Sequence, residues 1–209
     1  MLRYSTNASE RCNTRETDLT SGFENSLRLF IAFMLPKDVA SELAKIQQDI
    51  IRRTGIDGKK TPGAFLHITL IFLGNHTESS MQEIARRLSK IVFPDIFLTM
   101  QSIEYVSRGM RGLIWASGEQ SEPLLELKRS LDMAVAGLPI DQIATSFIPH
   151  VTLFRLKGKK RASINDVVSN IRLSIPTFRL QYVSLMRSVQ TPSGTTYQEL
   201  QRFYSAKPS

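Results

Sequence analysis

The chain has 209 residues, 42% of them apolar and 22% charged, enough for one ordinary globular unit or two small lobes sharing an interface. Fibrous, collagenous and wholly disordered chains are excluded. Lysine and arginine outnumber acidic residues 27 to 19, and the net charge of +8 at pH 7 favours an anionic partner without identifying it. The single cysteine, Cys12, excludes an intrachain disulfide framework and a thiolate-rich zinc site. No run approaches the roughly 18 apolar residues of a membrane span, and the first residues lack the apolar centre of a secretory signal. A soluble, cytoplasmic protein without membrane association is expected.

Residues 1–25 are rich in serine, threonine, asparagine and charge, have no regular periodicity, and read as a flexible extension. Their three arginines and four acidic residues leave +9 on residues 26–209, the folded domain. That domain begins with a strand at Leu27 to Phe33. Pro36 suits a helix start, and Val39, Leu43, Ile46 and Ile50 recur at helical spacing up to Gly55. Leu66 to Phe72 reads as a second strand closed by Gly74, and Met81, Ile84, Leu88 and Ile91 mark a second helix. Beyond Pro94, strands are expected at Phe97 to Val106 and Leu113 to Ala116, around the turn formed by Arg108, Gly109, Met110, Arg111 and Gly112. Leu124, Leu127, Leu131 and Val135 share a helical face that ends at Gly137. Val151 to Leu156 is strand-like, Ile164 to Ile171 a shorter helix, and Phe178 to Met186 and Tyr197 to Phe203 the last strands, separated by Pro192, Ser193 and Gly194. This order predicts an α+β fold of two related halves.

The relatedness is visible in an internal repeat. Leu66-His67-Ile68-Thr69-Leu70 recurs as Pro149-His150-Val151-Thr152-Leu153, with His and Thr two places apart in the same apolar context. Residues two apart on a strand project from one face, so each copy sets an imidazole beside a hydroxyl while Ile68 and Leu70, or Val151 and Leu153, enter the core. Two such strands across a cleft would surround one small substrate with two imidazoles and two hydroxyls. Imidazoles near neutral pH can take up and release protons, and hydroxyls can stabilise charge on phosphoryl oxygens, so the pattern suits metal-independent phosphodiester chemistry with no cofactor. By strict alternation Phe154 shares the face of His150 and Thr152, and is a candidate for stacking on a base. Arg155 falls on the opposite face, from which a terminal twist could bring it to phosphate.

The other residues weigh less. His76 has no partnered motif and is expected to be structural, at the surface beyond Gly74; a zinc triad would need it to cross toward His150, and no acidic ligands accompany the signatures. Trp115 sits inside an apolar strand and is expected to fill a core. Lys157, Lys159, Lys160 and Arg161 could steer an RNA backbone or serve only as solvated charge.

The paired His67-Ile68-Thr69-Leu70 and His150-Val151-Thr152-Leu153-Phe154-Arg155 segments resemble the two signatures of the 2H phosphoesterase superfamily. The closer resemblance is to its RNA 2',3'-cyclic phosphodiesterase branch, historically called 2'-5' RNA ligases. Arg28-Leu29-Phe30, Ala136 to Pro139, Ser188, Gly194 and Tyr197 support it, and it spans residues 27–204. The resemblance implies a bilobal, pseudo-two-fold arrangement of two antiparallel sheets, with helices packed outside and a central active-site groove. It also implies hydrolysis of the terminal 2',3'-cyclic phosphate of RNA to a 2'-phosphate, with some reverse ligation through the same groups; a monomer is expected. His67 and His150 would be the catalytic pair, His67 protonating the leaving oxygen and His150 activating water, with Thr69, Thr152 and Arg155 on the phosphate. The approach to the first signature, Lys59 to Phe65, departs from the usual pattern and leaves base contacts there open. Two alternatives remain: a phosphodiesterase for 2'-5' oligonucleotides or another cyclic phosphate, and a noncatalytic RNA-end-binding module.

Overall fold

The computed structural model describes residues 26–108, 111–140, 146–157, 162–192 and 194–206. The extension 1–25, Gly109 and Met110 of the predicted turn, Ser193, and the basic residues Lys159, Lys160 and Arg161 lie outside the described residues.

The first strand, β1 (Leu27–Met34), is apolar on both faces because both are covered. Leu29, Ile31 and Phe33 enter the main core, whereas Phe30 and Ala32 enter a second, smaller cluster with Met186 on the opposite face. Helix α1 (Lys37–Thr54) starts after Pro36 and stops where Gly55 takes a left-handed conformation (φ 57°), its N–H bonded to Ile51 O. Its inward face carries Val39, Leu43 and Ile50 and one buried polar side chain, Gln47. Next come β2 (Gly58–Lys60), a 3₁₀ turn at Gly63–Phe65, β3 (His67–His76) and α2 (Glu78–Leu88), whose Thr77 cap accepts from Ser80 N–H.

The remaining elements are β4 (Ile96–Leu98), β5 (Met100–Arg108), β6 (Arg111–Gly118), α3 (Glu122–Ala134), β7 (His150–Lys157), α4 (Ala162–Ser169), β8 (Phe178–Leu180), β9 (Tyr182–Thr191) and β10 (Gly194–Tyr204). The strands expected at 97–106 and 178–186 are therefore each broken in two. The short leading pieces, β4 and β8, pair with each other as a separate ribbon, and Thr99 and Thr177 hydrogen-bond beside it. Strand β2 has no apolar alternation to reveal it. It exists through pairing with β7, where Gly58 is required: a Cβ there would lie 2.2 Å from Leu156 Cδ2.

The main sheet is antiparallel, in the order β10-β9-β1-β3-β7-β6-β5, with β2 added along β7. Its two halves meet at a single pair, Ile68 opposite Val151. An antiparallel pair has a local two-fold axis, and this one relates His67 to His150 and Thr69 to Thr152. The two antiparallel halves expected from the repeat are thus joined edge to edge. The four α-helices among the described residues all contribute to the main core on one face, leaving the other face of the junction open as a groove.

Candidate active site

Each repeat strand holds its apolar residues in the core and its polar ones toward the groove. Ile68 and Val151 are fully buried, whereas His67, Thr69, His150 and Thr152 line one groove of about 910 Å³. Both strands then depart from alternation at the same place. On β3 the register against β1 slips so that Leu70 is unpaired between Thr69 and Ile71, and on β7 the register against β6 slips so that Leu153 is unpaired between Thr152 and Phe154. These are β-bulges, two residues facing one, and each sends the next residue into the core as well.

The bulge corrects the expected contacts. Phe154, predicted to face the groove and stack on a base, is 1% exposed in the main core. Arg155, on the wrong face of a regular strand, lines the groove beside His150 and Thr152. A bulge, rather than terminal twist, accomplishes this. Its displaced carbonyl, Leu153 O, accepts from Thr61 N–H at 2.9 Å and from Gln47 Nε2 at 2.9 Å, and Gln47 Nε2 also donates to Thr61 O at 2.8 Å. The matching bulge on β3 turns out Phe72, which is 51% exposed and lines the same groove. Phe72 and Arg155 are equivalent positions of the repeat, five residues after each histidine. Aligning the repeat through that position would have revealed Phe72 from sequence.

The imidazoles are oriented alike. His67 Nδ1 lies 2.6 Å from Phe65 O, and His150 Nδ1 lies 2.8 Å from Ile148 O. A carbonyl only accepts, so each Nδ1 carries its proton and Nε2 is the basic nitrogen of the neutral ring. Their surroundings differ. His67 packs in an aromatic corner, with Phe30 and Tyr197 ring centroids both at 5.1 Å. Burial holds it below the ordinary histidine value of 6.5; the bond to Phe65 O opposes the shift, and the charges of Arg155 and His150 add to it. His150 lies against Trp115, with 4.2 Å between centroids. Trp115 is buried, as expected, but under a groove histidine.

Three arginines line the groove, Arg28 from β1, Arg111 from β6 and Arg155 from β7, and no carboxylate does so among the described residues. None of the three forms an ion pair among those residues. The positive charge of the sequence is therefore partly focused here. Tyr197 and Ser188 also line the groove. Lys59 and Lys60 border a small side pocket with Arg155 and Tyr197, which brings the unusual approach segment to the rim. Lys157 is exposed at the end of β7.

His76 is not at the surface. It is 4% exposed; Nε2–H donates to Leu73 O at 3.0 Å and Nδ1 accepts from Ser80 Oγ at 2.8 Å, so both nitrogens are committed to the start of α2. No group of three or more His, Cys, Asp or Glu side chains is arranged to hold a metal ion among the described residues. Nor is any described helix long and apolar enough to cross a membrane.

Two bulged His-x-Thr strands meeting at a basic groove define a phosphoesterase-type fold of two related halves. The sequence matches the family model of the 2'-5' RNA ligase superfamily over residues 35–191. The chain belongs to that superfamily, the branch of the 2H phosphoesterases that its paired signatures resemble. Among curated relatives, the RNA 2',3'-cyclic phosphodiesterase of Methanothermobacter thermautotrophicus is 26% identical over 190 residues, covering 85% of this chain and 98% of the relative. That of Thermotoga maritima is 27% identical over 183 residues, covering 83% and 93%. Among solved structures, Escherichia coli LigT complexed with 3'-AMP superposes with a TM-score of 0.70 at 21% identity, over 87% of this chain and 99% of that one, a likeness of fold.

Proposed function

We propose that the protein hydrolyses the terminal 2',3'-cyclic phosphate of RNA to a 2'-phosphomonoester, using His67 and His150 as a proton-accepting and proton-donating pair. The observation that carries this reading is the single Ile68 to Val151 bridge, which sets both His-x-Thr motifs around one basic groove. The activity printed for curated relatives that match the chain over most of its length supports the substrate.

In the proposed reaction, the Nε2 of one imidazole removes a proton from water as the oxygen attacks phosphorus. The P–O3' bond breaks, and the second imidazole gives its proton to O3', leaving the phosphate on O2'. Strain in the five-membered ring lowers the cost of opening. Negative charge that builds on the nonbridging oxygens is met by the Thr69 and Thr152 hydroxyls and the Arg155 guanidinium, donors already fixed on the sheet. Phe72, an exposed apolar ring in an otherwise cationic groove, suits a terminal base, so the two equivalent positions of the repeat would divide the work between base and phosphate. With a 5'-hydroxyl in place of water as the attacking group, the same ring opening would join ends through a 2'-5' bond.

The test is incubation of the full chain, with EDTA present, with an RNA ending in a 2',3'-cyclic phosphate, followed by identification of the phosphate position. A 2'-phosphate product is expected. Binding without turnover would favour an end-binding module, and cleavage of an internal 2'-5' linkage with an intact cyclic end would favour an oligonucleotide phosphodiesterase.

A further inference from the structure

One end of the groove opens into a small side cavity of about 60 Å³, and the two share Arg155, Thr195 and Tyr197. Strand β2 forms the outer wall of this cavity, paired with β7 so that Lys59 lies directly opposite Arg155. Partners in an antiparallel pair project from the same face, so a second cation is set beside the groove arginine, and like charges placed this way repel unless an anion separates them. The wall is tied down at its end: Thr61 N–H donates to Leu153 O, and Gln47 bonds both carbonyls, Thr61 O and Leu153 O. Across the cavity, Lys59 reaches the start of β10, where a Cβ on Gly194 would collide with its ammonium. Lys60 lines the cavity too, and neither lysine forms an ion pair among the described residues, none of whose carboxylates lines the cavity. Its other groups are committed elsewhere. Thr195 Oγ1 donates to Gln190 Oε1 at 3.0 Å, and the Phe65 and Tyr197 rings pack edge to face at 5.4 Å. What the cavity offers a ligand is positive charge.

Its position along the groove identifies the anion. Strands β3 and β7 run antiparallel from the Ile68 to Val151 bridge, so Phe72, five residues past His67, and Arg155, five past His150, lie toward opposite ends of the groove. Lys59 is at the Arg155 end. A terminal ribose whose 2',3'-cyclic phosphate sits at the histidines carries its base on C1' and the rest of the chain, through C5', on C4', which are opposite sides of the ring. With the base on Phe72, the 5' oxygen points toward Arg155 and Lys59. We propose that Lys59 and Arg155 form a second phosphate site, which takes the internucleotide phosphate on the 5' side of the terminal nucleoside. This deepens, and rests on, the cyclic-end reading above: the site makes the protein selective for the ends of RNA chains over nucleoside 2',3'-cyclic phosphates, which lack that phosphate.

The test compares three substrates in the presence of EDTA: a nucleoside 2',3'-cyclic phosphate, a dinucleotide ending in the same cyclic phosphate, and that dinucleotide with an uncharged methylphosphonate as its internucleotide linkage. The upstream sugar of both dinucleotides is 2'-deoxy, so that neither linkage cleaves itself. In the wild-type protein kcat/KM for the charged dinucleotide should exceed that for each of the other two by about 10-fold, carried by KM; this is the low end for a hydrogen bond to a charged group, because Lys59 is exposed. Lys59→Gln keeps much of the side chain and the pairing of β2, and should shrink the preference for the charged linkage to about 3-fold or less, whereas Lys59→Arg should retain it. A preference that survives in Lys59→Gln, or an equal loss on all three substrates, overturns the inference. Affinities of the corresponding 2'-phosphorylated products, measured by calorimetry, give the same comparison without turnover. If no substrate is hydrolysed but these affinities follow the linkage charge and Lys59, the proposed function fails alone; affinities indifferent to the linkage charge overturn the second site.

Discussion

Gln47→Leu tests whether the bulge on β7, and not merely the composition of the groove, delivers Arg155. Gln47 is fully buried in α1, and its Nε2 donates to Thr61 O and Leu153 O, tying the helix to β7 and its approach segment. Leucine preserves the approximate volume and removes both bonds. Leu153 O keeps the Thr61 N–H, so its loss is that of one ordinary hydrogen bond, about 0.5 to 1.5 kcal/mol. Thr61 O loses the Gln47 donor, at about 1 to 3 kcal/mol if it remains buried and unpaired. Part of this is recovered, because Gln47 Oε1 is itself buried without a hydrogen-bond partner among the described residues and is removed as well. A net destabilisation of about 1 to 3 kcal/mol should appear in urea unfolding with an unchanged slope. The loosened bulge should also raise KM for cyclic-ended RNA by about 3- to 10-fold. That is part of the roughly 10- to 150-fold expected if Arg155→Ala removes a charge-assisted phosphate contact of about 1.5 to 3 kcal/mol. A Gln47→Leu protein as stable as wild type with an unchanged KM would refute the reasoning.

Three further outcomes follow from the groove. Thr69→Val and Thr152→Val keep the branched shape suited to a strand while deleting a phosphate donor, and each should lower kcat by about 10- to 100-fold in single-turnover assays, with unfolding midpoints little changed. Phe72→Ala removes an exposed ring and should weaken RNA-end binding by about 1 to 3 kcal/mol, measured by fluorescence anisotropy, without destabilising the fold; equal affinity would remove it from the base contact. Because His67 is held below 6.5 in the folded protein, the unfolded chain takes up a proton there first as pH falls, and the folded state loses stability through that window. Denaturation at pH 7.5 and pH 5.5 should therefore show a smaller loss on acidification in His67→Ala than in the wild type, and an equal loss would contradict the shift.

The elements with strong periodicity were legible in the sequence. Gly55 and Gly137 marked the ends of α1 and α3, and the His-x-Thr repeat identified the two central strands because alternate residues must choose between core and groove. The break came from that same alternation rule. One extra residue after each threonine inverts the side chains that follow it, so Phe154 and Arg155 exchanged faces, and the residues that stabilise the inversion on β7, Gln47 and Thr61, lie far away in sequence. Strand β2 was invisible for a related reason: Gly58, Lys59 and Lys60 have no apolar pattern, and the edge of β7 specifies them. Trp115 read correctly as buried, yet only the cross-strand register reveals that it lies beneath His150. His76 read as an exposed residue because its two hydrogen-bond partners, Leu73 O and Ser80 Oγ, are supplied by local geometry that composition does not encode.

The central claim is that two imidazoles from different halves of the sheet serve one phosphorus. Its most direct measurement is the single-turnover rate of cyclic-phosphate opening by His67→Ala and His150→Ala, each verified as folded by circular dichroism and freed of contaminating nuclease. Both variants should lose about 10²- to 10⁴-fold, about 3 to 5 kcal/mol of transition-state stabilisation. Wild-type turnover in either folded variant would contradict the account.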